Sequence, residues 1–184
     1  MVWLIVIVVV LVLLALVVVW LYNNLVRQRN RVDNAWAQVE VQLKRRWDLI
    51  PNLVETVKGY AAHERETFEA VTNARVAAQK AQGPAEAAQA EGILSQALGR
   101  LFAVAEAYPE LRATENFQQL QAQLADTENK VAVSRQVYND TVLTYHNAIQ
   151  TFPGTLLAGP FGFTTREFFE VEDAAQREAP SVDF

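Results

Sequence analysis

Residues 2–22 read VWLIVIVVVLVLLALVVVWLY, an unbroken apolar run without a charged side chain. At about 1.5 Å of rise per residue, a helix of this length crosses the ~30 Å hydrocarbon layer of a bilayer. Valine and isoleucine are frequent here, but a helix is still expected because lipid offers no hydrogen-bond partner to a free backbone amide. Residues 1–22 are therefore predicted to be a transmembrane anchor.

Aromatic residues flank the apolar run, as they do where transmembrane helices meet the lipid headgroups. Trp3 lies near one end, and Trp20 and Tyr22 lie near the other. A cleaved signal peptide would instead have a basic start, a shorter apolar core and a small-residue cleavage site, and this sequence has none of the three. The prediction is an uncleaved anchor with these three residues at the membrane interface.

Basic residues follow the anchor but do not precede it. Arg27, Arg29 and Arg31 come within ten residues of its end, so the positive-inside rule places the C-terminal side in the cytoplasm. We therefore predict a single-pass protein of the cell (inner) membrane with its N-terminus outside. These arginines either bind anionic lipid or act only as topology determinants, and the sequence favours neither reading.

The rest of the chain is polar and acidic overall. Residues 48–184 contain ten basic and nineteen acidic side chains, which argues against a nucleic-acid partner. None of the 184 residues is a cysteine, which excludes disulfide frameworks, thiolate catalysis and zinc–thiolate sites.

Apolar side chains recur every three or four residues after the basic segment, the spacing of one helix face at close to the coiled-coil period. The pattern stays in phase across Pro51, which favours a kink over a restart of the helix with Asp48 as N-cap. This stripe and that of the last helix predict the bundle core or assembly residues: Trp36, Leu43, Trp47, Ile50, Pro51, Val54, Leu120, Leu124, Tyr138 and Tyr145.

The middle of the chain predicts a further break and a further helix. Gly83 and Pro84 provide a stop and a new start. An alanine-rich helix is expected over residues 85–107, packing through a face that includes Ile93 and Leu101.

The clearest periodic pattern runs from Phe117 to Ile149. This last helix could reach about 40 residues, or ~60 Å. No segment of the sequence alternates like a strand. Long helices with narrow apolar stripes favour an all-α fold, in which residues 23–150 form an antiparallel bundle of about four helices.

After Ile149 the composition changes to TFPGTLLAGPFGF, which is apolar but interrupted by glycine and proline. No regular helix is expected here, and the segment either packs on the bundle or lies at the membrane surface. A short amphipathic helix carrying Phe168, Phe169 and Val171 is expected to complete a segment over residues 151–176. Residues 177–184 are expected to be disordered.

Several segments taken in order resemble the LemA family. They are QLKRRWDLIPNLV at residues 42–54, EAYPEL at 106–111 and SRQVYNDTV at 134–142, and the likeness covers nearly the whole chain. One local departure is His146, where the family pattern has asparagine. The resemblance implies a bacterial-type single-pass membrane protein whose remaining chain forms a four-helix bundle. It does not imply an established activity.

The residues offer little for catalysis, so neither an enzymatic activity nor a cofactor or metal is expected. His63 and Glu64 are adjacent, but a zinc-protease site needs a second histidine one helical turn away, and none stands there. A di-iron bundle would require two Glu-x-x-His motifs, which are absent. Ser134, beside Arg135, has no visible base.

Three functions follow as hypotheses. The first is a scaffold that self-associates as a homo-oligomer and organises or shapes the membrane, because narrow stripes on long helices are only partly buried within one thin bundle. The alternative is an adaptor that binds another membrane protein, such as a quality-control protease or a stress-response component. An enzyme ranks last. The lipid bilayer is a partner in both of the first two.

Overall fold

The computed structural model describes residues 1–170, and these form six helices and no β-strand. The all-α fold expected from the sequence is therefore confirmed. Val171 and residues 177–184, on which a helix and a disordered tail were expected, lie outside the described residues. The helices are α1 (Val2–Lys58), α2 (Arg65–Lys80), α3 (Gly83–Glu106), α4 (Pro109–Arg112), α5 (Glu115–Gln150) and α6 (Thr155–Ala158).

The first helix is one element of 57 residues. It contains both the apolar run and the first apolar stripe, with no break after Tyr22. Pro51 lies inside it, so the helix is not restarted at Asp48. The side chain of Pro51 is exposed, so Pro51 does not belong to the core of this chain, and its predicted role in assembly stays a prediction.

The described chain divides into two compact units, and α1 and α5 contribute to both. Among the described residues, the first unit contains 1–38 and 136–166, and the second contains 39–135 and 167–170.

The second unit is a helical bundle around a continuous apolar core. In it α1 and α5 run antiparallel, because Arg46 pairs with Glu128 while Thr56, further along α1, contacts Asn116 near the start of α5. Ile93 of α3 is exposed, although its spacing had placed it on the packed face. Fully buried side chains come from all five of its helices: Ile50, Val57, Val71, Leu94, Leu101, Leu111 and Leu124.

The first unit pairs the rest of α1 with the rest of α5. The rings of Trp36 and Tyr138 lie 5.3 Å apart. Burial raises the pKa of Tyr145, which lies about two turns after Tyr138, and the charge of Arg29, about two turns before Trp36, acts to lower that pKa. The two helices are therefore antiparallel here as well. Their contact buries Leu25, Val32, Val142, Tyr145 and Ile149.

The segment after α5 differs from its prediction in two respects. It contains the short helix α6 where no regular helix was expected. The turn after α6 includes Gly162, whose positive φ of 70° suits glycine. Residues 163–170 are not helical, so the predicted amphipathic helix is absent from its described part. Phe169 is nevertheless buried, so a ring of the predicted apolar face is covered without a helix.

Candidate functional site at the base of the apolar helix

The N-terminal part of α1 is long and apolar enough to cross a membrane, and it is the one such helix among residues 1–170. No other part of the described chain covers it, so its side chains are exposed from Val2 to Trp20 except for a partly exposed Val18. Trp3 and Trp20 are exposed near its two ends, and Tyr22 is exposed just beyond Trp20. This is the surface that a bilayer would cover.

The segment after α5 folds back beside Tyr22, just beyond the uncovered part of the apolar helix. The ring of Tyr22 lies 5.1 Å from the ring of Phe161 and 5.8 Å from that of Phe163. The guanidinium of Arg29 lies 5.6 Å from the centre of the Phe163 ring, within the range of a cation–π contact. Sequence reasoning had selected Tyr22 and Arg29 for the membrane interface but had not paired either with the C-terminal aromatics.

Polar contacts of Arg166 hold the C-terminal end of the same segment. Arg166 forms an ion pair with Asp33 of α1 at 3.0 Å, and its backbone N–H donates to Nε2 of His146 at 2.9 Å. His146 on α5 therefore accepts a hydrogen bond from the backbone of this segment. Burial raises the pKa of the Tyr145 hydroxyl, while the charges of Arg166 and Arg29 act in the opposite sense.

The other two arginines of the predicted interface are exposed. Arg31 donates to the side chain of Gln28 at 3.4 Å, and Arg27 also points to the surface. Both charges can therefore reach an anionic headgroup, whereas the charge of Arg29 is turned toward Phe163.

Gly154 fixes how the segment leaves α5. A Cβ atom at this position would lie 1.9 Å from the carbonyl oxygen of Ala148, closer than real Cβ atoms approach any heavy atom. The requirement is for space and not for backbone freedom, because φ at Gly154 is an ordinary −58°. Only glycine allows the chain to turn so tightly over the end of α5.

The second unit contains a buried ion network that the sequence had not revealed. Arg46 is 2% exposed and forms an ion pair with Glu91 of α3. It also donates to Ser95 at 2.9 Å and lies 2.5 Å from a carboxylate oxygen of Glu128. The indole N–H of Trp47 donates to the other oxygen of Glu91 at 2.6 Å. The network thus joins α1, α3 and α5.

Burial raises the pKa of Glu91 above the usual value of a glutamate, and Arg46 and Trp47 offset only part of that effect. A raised pKa means that the folded chain binds this proton more tightly than the unfolded chain does. The contribution of Glu91 to stability therefore falls as the pH rises from the usual glutamate pKa of 4.5 through the raised pKa. In the folded chain Glu91 pairs with the buried guanidinium of Arg46 and accepts from the Trp47 indole.

A signal for this network was present in the sequence. Arg46 follows Leu43 by three residues and precedes Ile50 by four, which places it on the buried stripe of α1. Glu91 stands three residues before the buried Leu94. The predicted stripe passes from Leu43 through Trp47 to Ile50 instead, so Arg46 is not among the predicted core residues.

The remaining predicted core or assembly residues lie as follows. Trp36 and Trp47 are half-buried, and Trp36 contacts Tyr138. The side chains of Leu43, Ile50, Val54, Leu120, Leu124, Tyr138 and Tyr145 are buried. Over residues 1–170 no three histidine, aspartate or glutamate side chains are grouped as metal ligands would be.

A family model described as the LemA family matches residues 35–184. The chain belongs to the LemA family. The match covers most of the chain and confirms the resemblance carried by the three ordered segments. Together with the apolar first helix, membership of the LemA family fits a membrane-anchored helical protein.

Curated relatives of this LemA family chain include two named magnetosome proteins. The chain is 27% identical to magnetosome protein MamQ 2 of Paramagnetospirillum magneticum and 28% identical to MamQ of Magnetospirillum gryphiswaldense. Each match covers 83% of this chain and 66% of the relative, so the chain spans just under two thirds of their length. It is also 25% identical to protein LemA of Metamycoplasma hominis, over 71% of this chain and 60% of that protein.

Proposed function

We propose that this LemA family protein is a single-pass, membrane-anchored scaffold that self-associates and thereby organises or shapes the membrane. It acts through its surface, with lipid and further copies of itself as partners and without a cofactor. Because α1 continues from the apolar run into the bundle, a lateral contact between two bundles also brings two anchors together.

The observation that carries self-association is a pair of exposed valines on neighbouring helices of the second unit. Val41 of α1 is 63% exposed and Val133 of α5 is 62% exposed. Arg46 of α1 and Glu128 of α5 form an ion pair. Val41 precedes Arg46 by five residues, and Val133 follows Glu128 by five residues. In antiparallel helices the two valines are therefore level with each other.

Anchoring gives this pair of valines its partner. A single exposed valine is ordinary on a protein surface. Membrane anchoring, however, holds every copy in one bilayer and in one direction, so neighbouring copies present the same two valines in the same orientation. A surface that contacts its own copy in this way forms a repeated homo-oligomeric contact.

The proposed location is the cell (inner) membrane, with the N-terminus outside and the bundle in the cytoplasm. The basic residues on one side of the apolar run support this orientation. Two of them, Arg27 and Arg31, are exposed and free to face anionic headgroups, each contributing roughly 1 kcal/mol near the surface.

A cysteine-free chain allows a direct test by single-cysteine cross-linking in native membranes. We expect the full-length Val41→Cys and Val133→Cys variants to form disulfide-linked dimers on mild oxidation. Val76→Cys, an exposed valine on α2, is the matched control and should remain monomeric.

In intact cells a membrane-impermeant maleimide should label Val41→Cys only after permeabilisation.

Three results would contradict the proposal. Absence of cross-linking at both Val41 and Val133, or equal cross-linking at Val76, would remove the self-association contact. Cross-linking of Val41→Cys to a different membrane protein would support the adaptor function instead. Labelling of intact cells would reverse the proposed orientation.

A further inference from the structure

The segment between α5 and Arg166 carries apolar side chains that the chain leaves uncovered. Residues 151–165 contain no charged side chain. Phe152 is 78% exposed, Leu156 is 63% exposed and Phe161 is 50% exposed. Three large apolar side chains within ten residues form an exposed patch of the kind that marks an interaction surface.

The patch lies level with the end of the apolar helix. Trp36 of α1 contacts Tyr138 of the antiparallel α5. Tyr22 precedes Trp36 by 14 residues and Phe152 follows Tyr138 by 14 residues, so Tyr22 and Phe152 are at the same level. The ring contact between Tyr22 and Phe161 at 5.1 Å confirms this level independently. The exposed patch is therefore continuous with the surface that the bilayer covers.

The backbone of the segment is largely satisfied within itself. The amides of Leu157 and Ala158 donate to the carbonyl of Gly154, that of Phe161 donates to Leu157, and that of Phe163 donates to Ala158. Unpaired amides make irregular backbone costly in lipid, and this segment has few to desolvate.

Charged groups mark the opposite border of the segment. Arg29 lies on the Phe163 ring, and Arg166 is paired with Asp33, so polarity returns immediately after the apolar patch. An apolar body with a charged border is typical of elements that lie in the membrane interface.

We propose that residues 152–161 form a second membrane contact, in which Phe152, Leu156 and Phe161 enter the boundary between headgroups and acyl chains beside the transmembrane helix. The occupant of the patch is lipid. This proposal rests on the anchor in the proposed function but not on self-association. The contact gives each copy a wedge in one leaflet, in addition to its span.

The test measures probe depth in full-length protein reconstituted in lipid vesicles. Leu156→Cys is labelled with an environment-sensitive fluorophore. Lipids spin-labelled near the headgroup act as quenchers at the interface, and lipids spin-labelled along the acyl chain act as quenchers within the bilayer. Val10→Cys in the span controls for insertion, and Ile93→Cys on α3 is an exposed position in the bundle. We expect the Leu156 probe to be quenched about threefold or more above the Ile93 probe, as an interfacial side chain would be.

The outcomes separate this inference from the proposed function. If the Val10 probe is quenched by lipids spin-labelled along the acyl chain while the Leu156 probe behaves like the Ile93 probe, the span is inserted and the second contact is overturned. If neither Val10 nor Leu156 is quenched, the anchor itself fails. A Leu156 probe that is blue-shifted without lipid quenching, and that responds to dilution with empty vesicles, would show that another copy covers the patch and would also overturn the inference.

Discussion

Replacement of Glu91 by leucine is expected to lower the free energy of unfolding by about 3 kcal/mol. The substitution leaves Arg46 buried without its partner on α3 and removes the acceptor of the Trp47 indole. Glu128 still contacts Arg46, which places the expected cost at the lower end of the range for broken buried ion pairs. The measurement is urea unfolding of the full-length protein in detergent.

A second substitution distinguishes a lost ion pair from a lost fit in the core. Adding Arg46→Met to Glu91→Leu removes the unpaired charge, so the double variant should regain the greater part of the stability lost by Glu91→Leu. The exposed pair Lys44–Asp48 is the matched control, and Lys44→Ala should change stability by less than about 1 kcal/mol. A double variant less stable than Glu91→Leu alone would show that the network stabilises through packing and not through charge compensation.

Replacement of Gly154 by alanine is expected to disrupt the segment after α5. Its Cβ would meet the carbonyl oxygen of Ala148 at 1.9 Å, and a backbone atom cannot move aside as a flexible side chain can. Overpacking of this kind costs about 1–3 kcal/mol. Backbone amides of residues 155–163 should therefore exchange with solvent about tenfold or more faster, since 1.4 kcal/mol is a factor of ten.

Gly159→Ala is the matched control five residues away. A Cβ at Gly159 meets nothing within 4 Å, and its φ of −61° is accessible to alanine. This variant should keep its exchange protection or gain a little, because alanine narrows the unfolded ensemble. Equal loss of protection at both positions would mean that the turn over α5 is not set by the space at Gly154.

The periodic patterns predicted the helices because burial is what produces such patterns. The stripe from Phe117 to Ile149 matches α5, and nearly every member of it is buried, with Ser134 partly exposed. The predicted break at Gly83 is also present, because α2 ends at Lys80 and α3 begins at Gly83, whose positive φ of 79° suits glycine. The uncharged run at residues 2–22 likewise identified the candidate span.

Other features depend on contacts that no local pattern records. The contacts of Tyr22 with Phe161 and of Asp33 with Arg166 join residues more than 130 positions apart. The burial of Arg46 depends on a carboxylate supplied by α3, which the sequence around Arg46 does not indicate. A basic residue in a basic segment is therefore interpreted as a surface charge. The segment after α5 was left open between the bundle and the membrane surface because its glycines and prolines have no period.

The most direct test of the scaffold account is the mass of the full-length protein after gentle detergent extraction, measured by native mass spectrometry. We expect an assembly of several identical copies for the unchanged chain. The variant that combines Val41→Glu with Val133→Glu should be a monomer, because charge at both level positions prevents the apolar contact. A monomeric mass for the unchanged chain would contradict the account, and so would an assembly that is unaffected by the two glutamates.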